Sequence, residues 1–124
     1  MNKHGKANEP DWLRECSALG NLQGDVRLAQ GDLSGALQAY GESLTVRRRL
    51  GEADPSNAGW QRDLSYSLTV VAQIHEQQGE GAEALQLAEE SLVIDERLAA
   101  LDRTNVMWQQ DVEVTRALVA RLRG

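Results

Sequence analysis

Trp12, Trp60 and Trp108 stand 48 residues apart, and the chain between the first pair is repeated between the second. Laying 12–60 on 60–108 without gaps gives sixteen identities in forty-nine pairs, against roughly three or four expected from ordinary composition. They include Arg14/Arg62, Ser17/Ser65, Gly31/Gly79, Arg49/Arg97, Asp54/Asp102 and Asn57/Asn105, with the blocks Ala36-Leu37-Gln38/Ala84-Leu85-Gln86 and Ser43-Leu44/Ser91-Leu92. A third copy opens at Trp108-Gln109-Gln110-Asp111, echoing Trp60-Gln61-Arg62-Asp63. A period of this length restricts the fold severely. Each unit must be one supersecondary element that buries its apolar face against its neighbours, which makes a stacked solenoid.

The units read as helical. Phe is absent, Pro occurs twice, and Leu, Ala, Gln, Glu and Arg dominate, a mixture that favours helix over strand. Residues 1–9 read as a polar, flexible leader. A first helix is expected from Pro10, a residue favoured at the first helical position, with an apolar stripe of Trp12, Cys16, Leu19, Leu22, Val26 and Ala29 at helical steps. Gly31-Asp32 ends it and caps a second helix, which runs to about Glu52. Asp54-Pro55-Ser56-Asn57 links to a third helix capped by Asn57, Gly79-Glu80-Gly81 turns into a fourth, and Asp102–Asn105 repeats the linker before a fifth. Connections this short make neighbouring helices antiparallel. The expectation is an all-α solenoid of five antiparallel helices over 10–124, with repeats at about 10–57 and 58–105 and a closing helix at 106–123.

Solenoid ends need polar outer faces. Gly20 and Gln23 replace Leu68 and Val71 of the next repeat, and Gln110, Glu113, Arg116, Arg121 and Arg123 oppose the last stripe, so both ends read as partly capped. Two and a half repeats fall below the about three usually needed, and a homodimer through the solenoid ends would complete the stack.

The net charge of −6 argues against nucleic acid, which needs a positive surface, and against anionic membrane surfaces. No apolar run approaches the ~20 residues of a membrane span, and the start, Met1-Asn2-Lys3-His4-Gly5-Lys6, lacks the apolar stretch of a secretory signal. One cysteine excludes an internal disulfide, and a cytoplasmic location is expected. Cys16 shares a column with Leu64 and Val112 and reads as a small buried hydrophobe. His4 and His75 are isolated, and no spacing suits a metal. Glu89-Glu90 and Asp95-Glu96 are adjacent on a helix and diverge by about 100°. The glycines lack the following Lys-Ser/Thr of a phosphate loop. The expectation is a non-enzyme with no catalytic residues, metal or cofactor. The three Trp read as seams between repeats, and Ala36 and Ala84 as points of close helix approach. Arg47 and Arg48 align with Asp95 and Glu96, suggesting attraction between successive second helices, while Arg49 and Arg97 read as partners of neighbouring carboxylates.

Gly24, Gly31, Ala36, Tyr40 and Ser43, and again Ala72, Gly79, Ala84, Ala88 and Ser91, carry a resemblance. At these spacings residues 10–124 resemble the tetratricopeptide repeat family. The 48-residue period exceeds that family's 34, and with the run D-P-S-N-A-G-W at Asp54–Trp60 the chain looks like the long-helix variants of kinesin light chains and bacterial signalling arrays. Arg27 and His75 stand where the family prefers an aromatic. The resemblance implies a protein- or peptide-binding adaptor or scaffold whose first helices line a concave face. Mapped by spacing, that face takes Asn21, Asp25 and Leu28 beside Ala18, then Tyr66, Thr69, Gln73 and Glu76, then Arg121 beside Val114 and Ala117. A clamp for acidic peptide C-termini needs Lys, Arg and Asn at these places; only Asn21 and Arg121 qualify, so a mixed polar groove for an extended or helical peptide is expected. The alternative is a structural oligomerisation or spacer unit of a larger signalling assembly.

Overall fold

The computed structural model describes the backbone of residues 2–124 and, from Glu9 onward, the side chains. Five helices follow in order: α1 (Asn2–Ala29), α2 (Leu33–Ala53), α3 (Ala58–Gln77), α4 (Gly81–Leu101) and α5 (Val106–Arg123). Each packs on the next in the chain, and there is no strand among the described residues. This is the all-α repeat solenoid that the 48-residue period implies.

The punctuation that ends and starts each helix recurs one period apart. Gly31 and Gly79 take φ of 79° and 82°, the left-handed conformation in which a Cβ is strained. That turn lets Asp32 N–H reach Arg27 O at 2.9 Å and Glu80 N–H reach His75 O at 2.8 Å, so each closes off otherwise free helix carbonyls. Asp54 and Asp102 accept from Ser56 and Thr104 within the linkers. Asn57 and Asn105 then cap α3 and α5, each accepting at 3.0 Å from the N–H of Trp60 or Trp108. Gln61 donates to Gly51 O, and Gln109 donates to Ala99 O. The period therefore specifies the joints as well as the rods.

The core lies between the hairpins. Ala36, Tyr40, Leu44, Leu64, Leu68, Val71, Ile74, Ile94 and Leu98 form one cluster, and Ala72, Ala84, Ala88, Leu118 and Val119 a second. Ala36 and Ala84 are fully buried, as close-approach points must be. At Gly24 a Cβ would come within 2.6 Å of the Tyr40 ring, so the ring occupies the space the glycine leaves.

Several expectations are corrected. Helix α1 begins at Asn2, so Pro10 lies inside it and not at its start; Lys6, Ala7 and Glu9 are good helix formers and carry the helix upstream. Residues 2–9, read as a leader, thus belong in backbone to α1, while the side chains of residues 1–8, His4 included, lie outside the described residues. The stripe assigned to the interior of α1 faces out: Trp12 is 62%, Leu19 59%, Leu22 58% and Val26 58% exposed. The helix buries the opposite side, with Ser17, Asn21 and Gly24. Gly20 faces Ala39 and Ser43 of α2, so it is a packing residue and does not cap the solenoid. Trp60 and Trp108 are half-buried, with Trp108 packed on the core; Trp12, being exposed, is not a seam. At the other end the polar face is real. Arg116, which stands where α3 has the buried Leu68, is exposed and donates to Glu96 at 3.2 Å. Arg49 and Arg97 are exposed and make no ion pair among the described residues. The attraction between second helices runs from Arg48 of α2 to Glu90 of α4 and does not involve Asp95 or Glu96.

Candidate peptide-binding groove

The first helices α1, α3 and α5 are tied edge to edge by one ion pair used twice. Arg14 Nε donates to Asp63 Oδ2 at 2.6 Å, and one repeat on, Arg62 Nε donates to Asp111 Oδ2 at 2.7 Å. Such half-exposed pairs contribute little stability singly, yet their forked geometry sets the lateral register of the first helices. Hydrogen bonding to the aspartates raises the Arg14 and Arg62 pKa values.

Beneath these pairs each second helix sends one buried charge between two first helices. Arg47 of α2 donates through Nε to Ser17 Oγ at 3.0 Å and through Nη1 to Ser67 Oγ at 2.9 Å and Asp63 O at 3.2 Å. The residue 48 positions on is Asp95 of α4. It accepts from Ser65 Oγ and, at 2.6 Å, from Thr115 Oγ1. Ser65 and Thr115 are the repeat equivalents of Ser17 and Ser67. A hydroxyl both donates and accepts, so the same framework holds a cation at one joint and an anion at the next. Burial pulls the Arg47 pKa down, partly offset by Asp63. Burial pushes the Asp95 pKa up, and the bonds from Ser65 and Thr115 restrain that rise.

Between α3 and α5 the surface opens into a cavity of about 360 Å³ lined by Tyr66, Thr69, Val70, Gln73 and Val114, with Arg47, Asp95 and the Arg62–Asp111 pair around its base. Three of the sequence-derived positions, Tyr66, Thr69 and Gln73, thus meet in one cavity. Tyr66 and Gln73 are exposed and free to engage a ligand, while the Thr69 hydroxyl is bonded to Ser65 O of its own helix at 2.7 Å. Glu76 and Arg121 face each other, with Arg121 donating at 2.8 and 3.1 Å; this bond holds the Glu76 carboxyl below its ordinary range. They do not line the cavity and are committed to each other. The α1 positions do not line this cavity. Asp25 accepts from the Tyr40 hydroxyl, whose pKa is raised by burial and then by that bond. Asn21 is buried with its Oδ1 unpartnered among the described residues, and Leu28 is exposed on α1.

Sequence reasoning missed the burial of Arg47 and Asp95, because charges on second helices are ordinarily solvated. The signal was present in the hydroxyl columns, Ser17/Ser65 lying 30 residues before the charge and Ser67/Thr115 lying 20 after it. Among the described residues no three His, Cys, Asp or Glu side chains are grouped to hold a metal ion. No helix is long and apolar enough to cross a membrane.

No curated protein and no solved structure matches the chain. A family model does match one hairpin, from within α3 to near the end of α4. Over residues 64–99 the chain is similar to the tetratricopeptide repeat, a repeat that generally mediates protein–protein interaction, and it is this match that supports an adaptor role.

Proposed function

We propose that this protein is a non-enzymatic adaptor that binds a segment of a partner protein along the face of its first helices, with the α3–α5 cavity as the principal contact. One observation carries the reading: Tyr66 and Gln73 stand exposed over a 360 Å³ recess whose polar base is already assembled. Tyrosine supplies a rigid amphipathic surface and Gln73 a paired donor and acceptor for peptide backbone. The recess offers both a buried cation and a buried anion, so it suits a mixed polar segment better than an acidic tail. A cytoplasmic setting fits the single cysteine, and no role in nucleic-acid or membrane binding fits the net charge of −6.

Affinity capture with the wild-type chain and with Tyr66→Ala/Gln73→Ala tests the reading. Loss of a partner by the double variant, with its helicity and melting temperature preserved, is the expected result. Equal capture by both proteins would remove the groove. A second reading, an oligomerisation unit, is favoured by a different feature, the apolar outer face of α1.

A further inference from the structure

A buried charge is ordinarily paired with an opposite one. Asp95 is 3% exposed, yet its carboxylate accepts only from two hydroxyls, Ser65 Oγ and Thr115 Oγ1. Among the described residues no cation lies within ion-pair distance of it. Its charged neighbours Asp111 and Arg62 are bonded to each other, so its own charge stays uncompensated, and burial pushes its pKa up. An ionised carboxylate has about four lone-pair sites, more than the two hydroxyls occupy. Asp95 lines the cavity between α3 and α5. One repeat back, the equivalent position is Arg47, whose guanidinium donates to Ser17 and Ser67, the counterparts of Ser65 and Thr115. This hydroxyl frame therefore accommodates a cation. At the second joint aspartate is the shorter side chain, and beside it the surface opens into the recess of about 360 Å³.

We propose, on the footing that this cavity is the partner contact, that it takes an arginine side chain of the partner segment, with the guanidinium against Asp95. The lining suits each part of that side chain. Val70 and Val114 offer apolar wall for the methylene stem, and Tyr66, exposed at the mouth, offers an aromatic face for the guanidinium plane. Arginine fits better than lysine, because its planar fork can meet a carboxylate through two parallel bonds while stacking on a ring. An acidic side chain would meet Asp95 as a like charge. The cations in the lining are already engaged, Arg62 by Asp111 and Arg47 by Ser17, Ser67 and Asp63 O, so neither stands free to draw a carboxylate in.

A displayed library of random peptides, panned on the wild-type chain, tests it. Peptides whose binding needs Tyr66 and Gln73, read with the Tyr66→Ala/Gln73→Ala variant, should share an arginine. Replacing that arginine with citrulline, which keeps its shape and loses its charge, should weaken binding by about thirtyfold or more. Asp95→Asn should weaken it by a similar factor. This variant removes the buried charge and keeps an acceptor for the hydroxyls, so it folds. Glu83→Gln, an equal change of charge at an exposed position of α4 outside the cavity, should leave affinity unchanged. Because the two groups meet, citrulline and Asp95→Asn together should cost no more than either alone. Binders that need Tyr66 and Gln73 but carry no arginine, or that keep their affinity for Asp95→Asn, would overturn the arginine assignment and leave the groove standing. Losses that add in full would overturn the contact with Asp95. A library with no binder that needs Tyr66 and Gln73 would overturn the groove and the arginine together.

Discussion

A buried charge survives only where its hydrogen-bonding capacity is met, and Arg47 and Asp95 meet theirs through the same hydroxyl framework with donor and acceptor roles exchanged. The two joints should respond differently to neutralisation. Burial raises the folded-state pKa of Asp95 above its unfolded value, so the folded protein holds that proton more tightly. The site disfavours folding most above the folded pKa, and the deficit is recovered as pH falls through it toward the unfolded value. Asp95→Asn keeps an acceptor and adds a donor for the amphoteric hydroxyls. It should stabilise the protein by about 1 kcal/mol at pH 7, with the gain shrinking as pH falls through the folded pKa, measured by urea unfolding across a pH series. Arg47→Ala should instead cost about 2–4 kcal/mol, because it leaves Asp63 O without this donor, removes the bonds to Ser17 and Ser67, and opens a cavity between α1 and α3. Neither residue announced its burial in the sequence, since a charge on a second helix looks like a solvated one until its hydroxyl partners, 20 and 30 residues away, are brought alongside.

At the scale of the helix, the punctuation was legible and the facing was only partly so. Gly31, Gly79, Asn57 and Asn105 mark the helix ends because each supplies a local requirement that one residue type meets: a positive φ or a side-chain acceptor for free N–H groups. The direction of α1 was not legible. Hydrophobic periodicity identifies an apolar stripe without saying what it meets, and the packing surface of α1 is made of small residues, Ser17, Gly20 and Gly24, that carry no hydrophobic signal. Two glycines separate these requirements experimentally. Gly24→Ala drives a Cβ into the Tyr40 ring and should destabilise the fold by about 1–3 kcal/mol. Gly41→Ala, in the middle of α2 with open space around it, should stabilise by about 0.5–1 kcal/mol through helix propensity alone. Thermal or chemical melts of the two variants, read against wild type, check both signs.

For the whole molecule, the repeat sets a lattice of identical joints, and individuality enters where the lattice is broken or left open. The Arg14–Asp63 and Arg62–Asp111 pairs and the linker caps recur unchanged. The buried charge changes sign between joints, the α3–α5 cavity stands open, and the α1 face stands bare. Family spacing named Tyr66, Thr69 and Gln73, and these three line one cavity, because they share a face of α3 through its helical register. It did not foresee that Glu76 and Arg121 would be spent on each other or Asp25 on Tyr40, since those pairings depend on side-chain reach across helices. The central claim is that partner contact occurs on the face of the first helices. A photo-reactive amino acid placed at Gln73, and in a separate protein at the exposed α4 position Arg97, tests it most directly. After irradiation in cell extract, crosslinked partner should form from position 73 and not from 97; adducts from 97 with none from 73 would contradict the account.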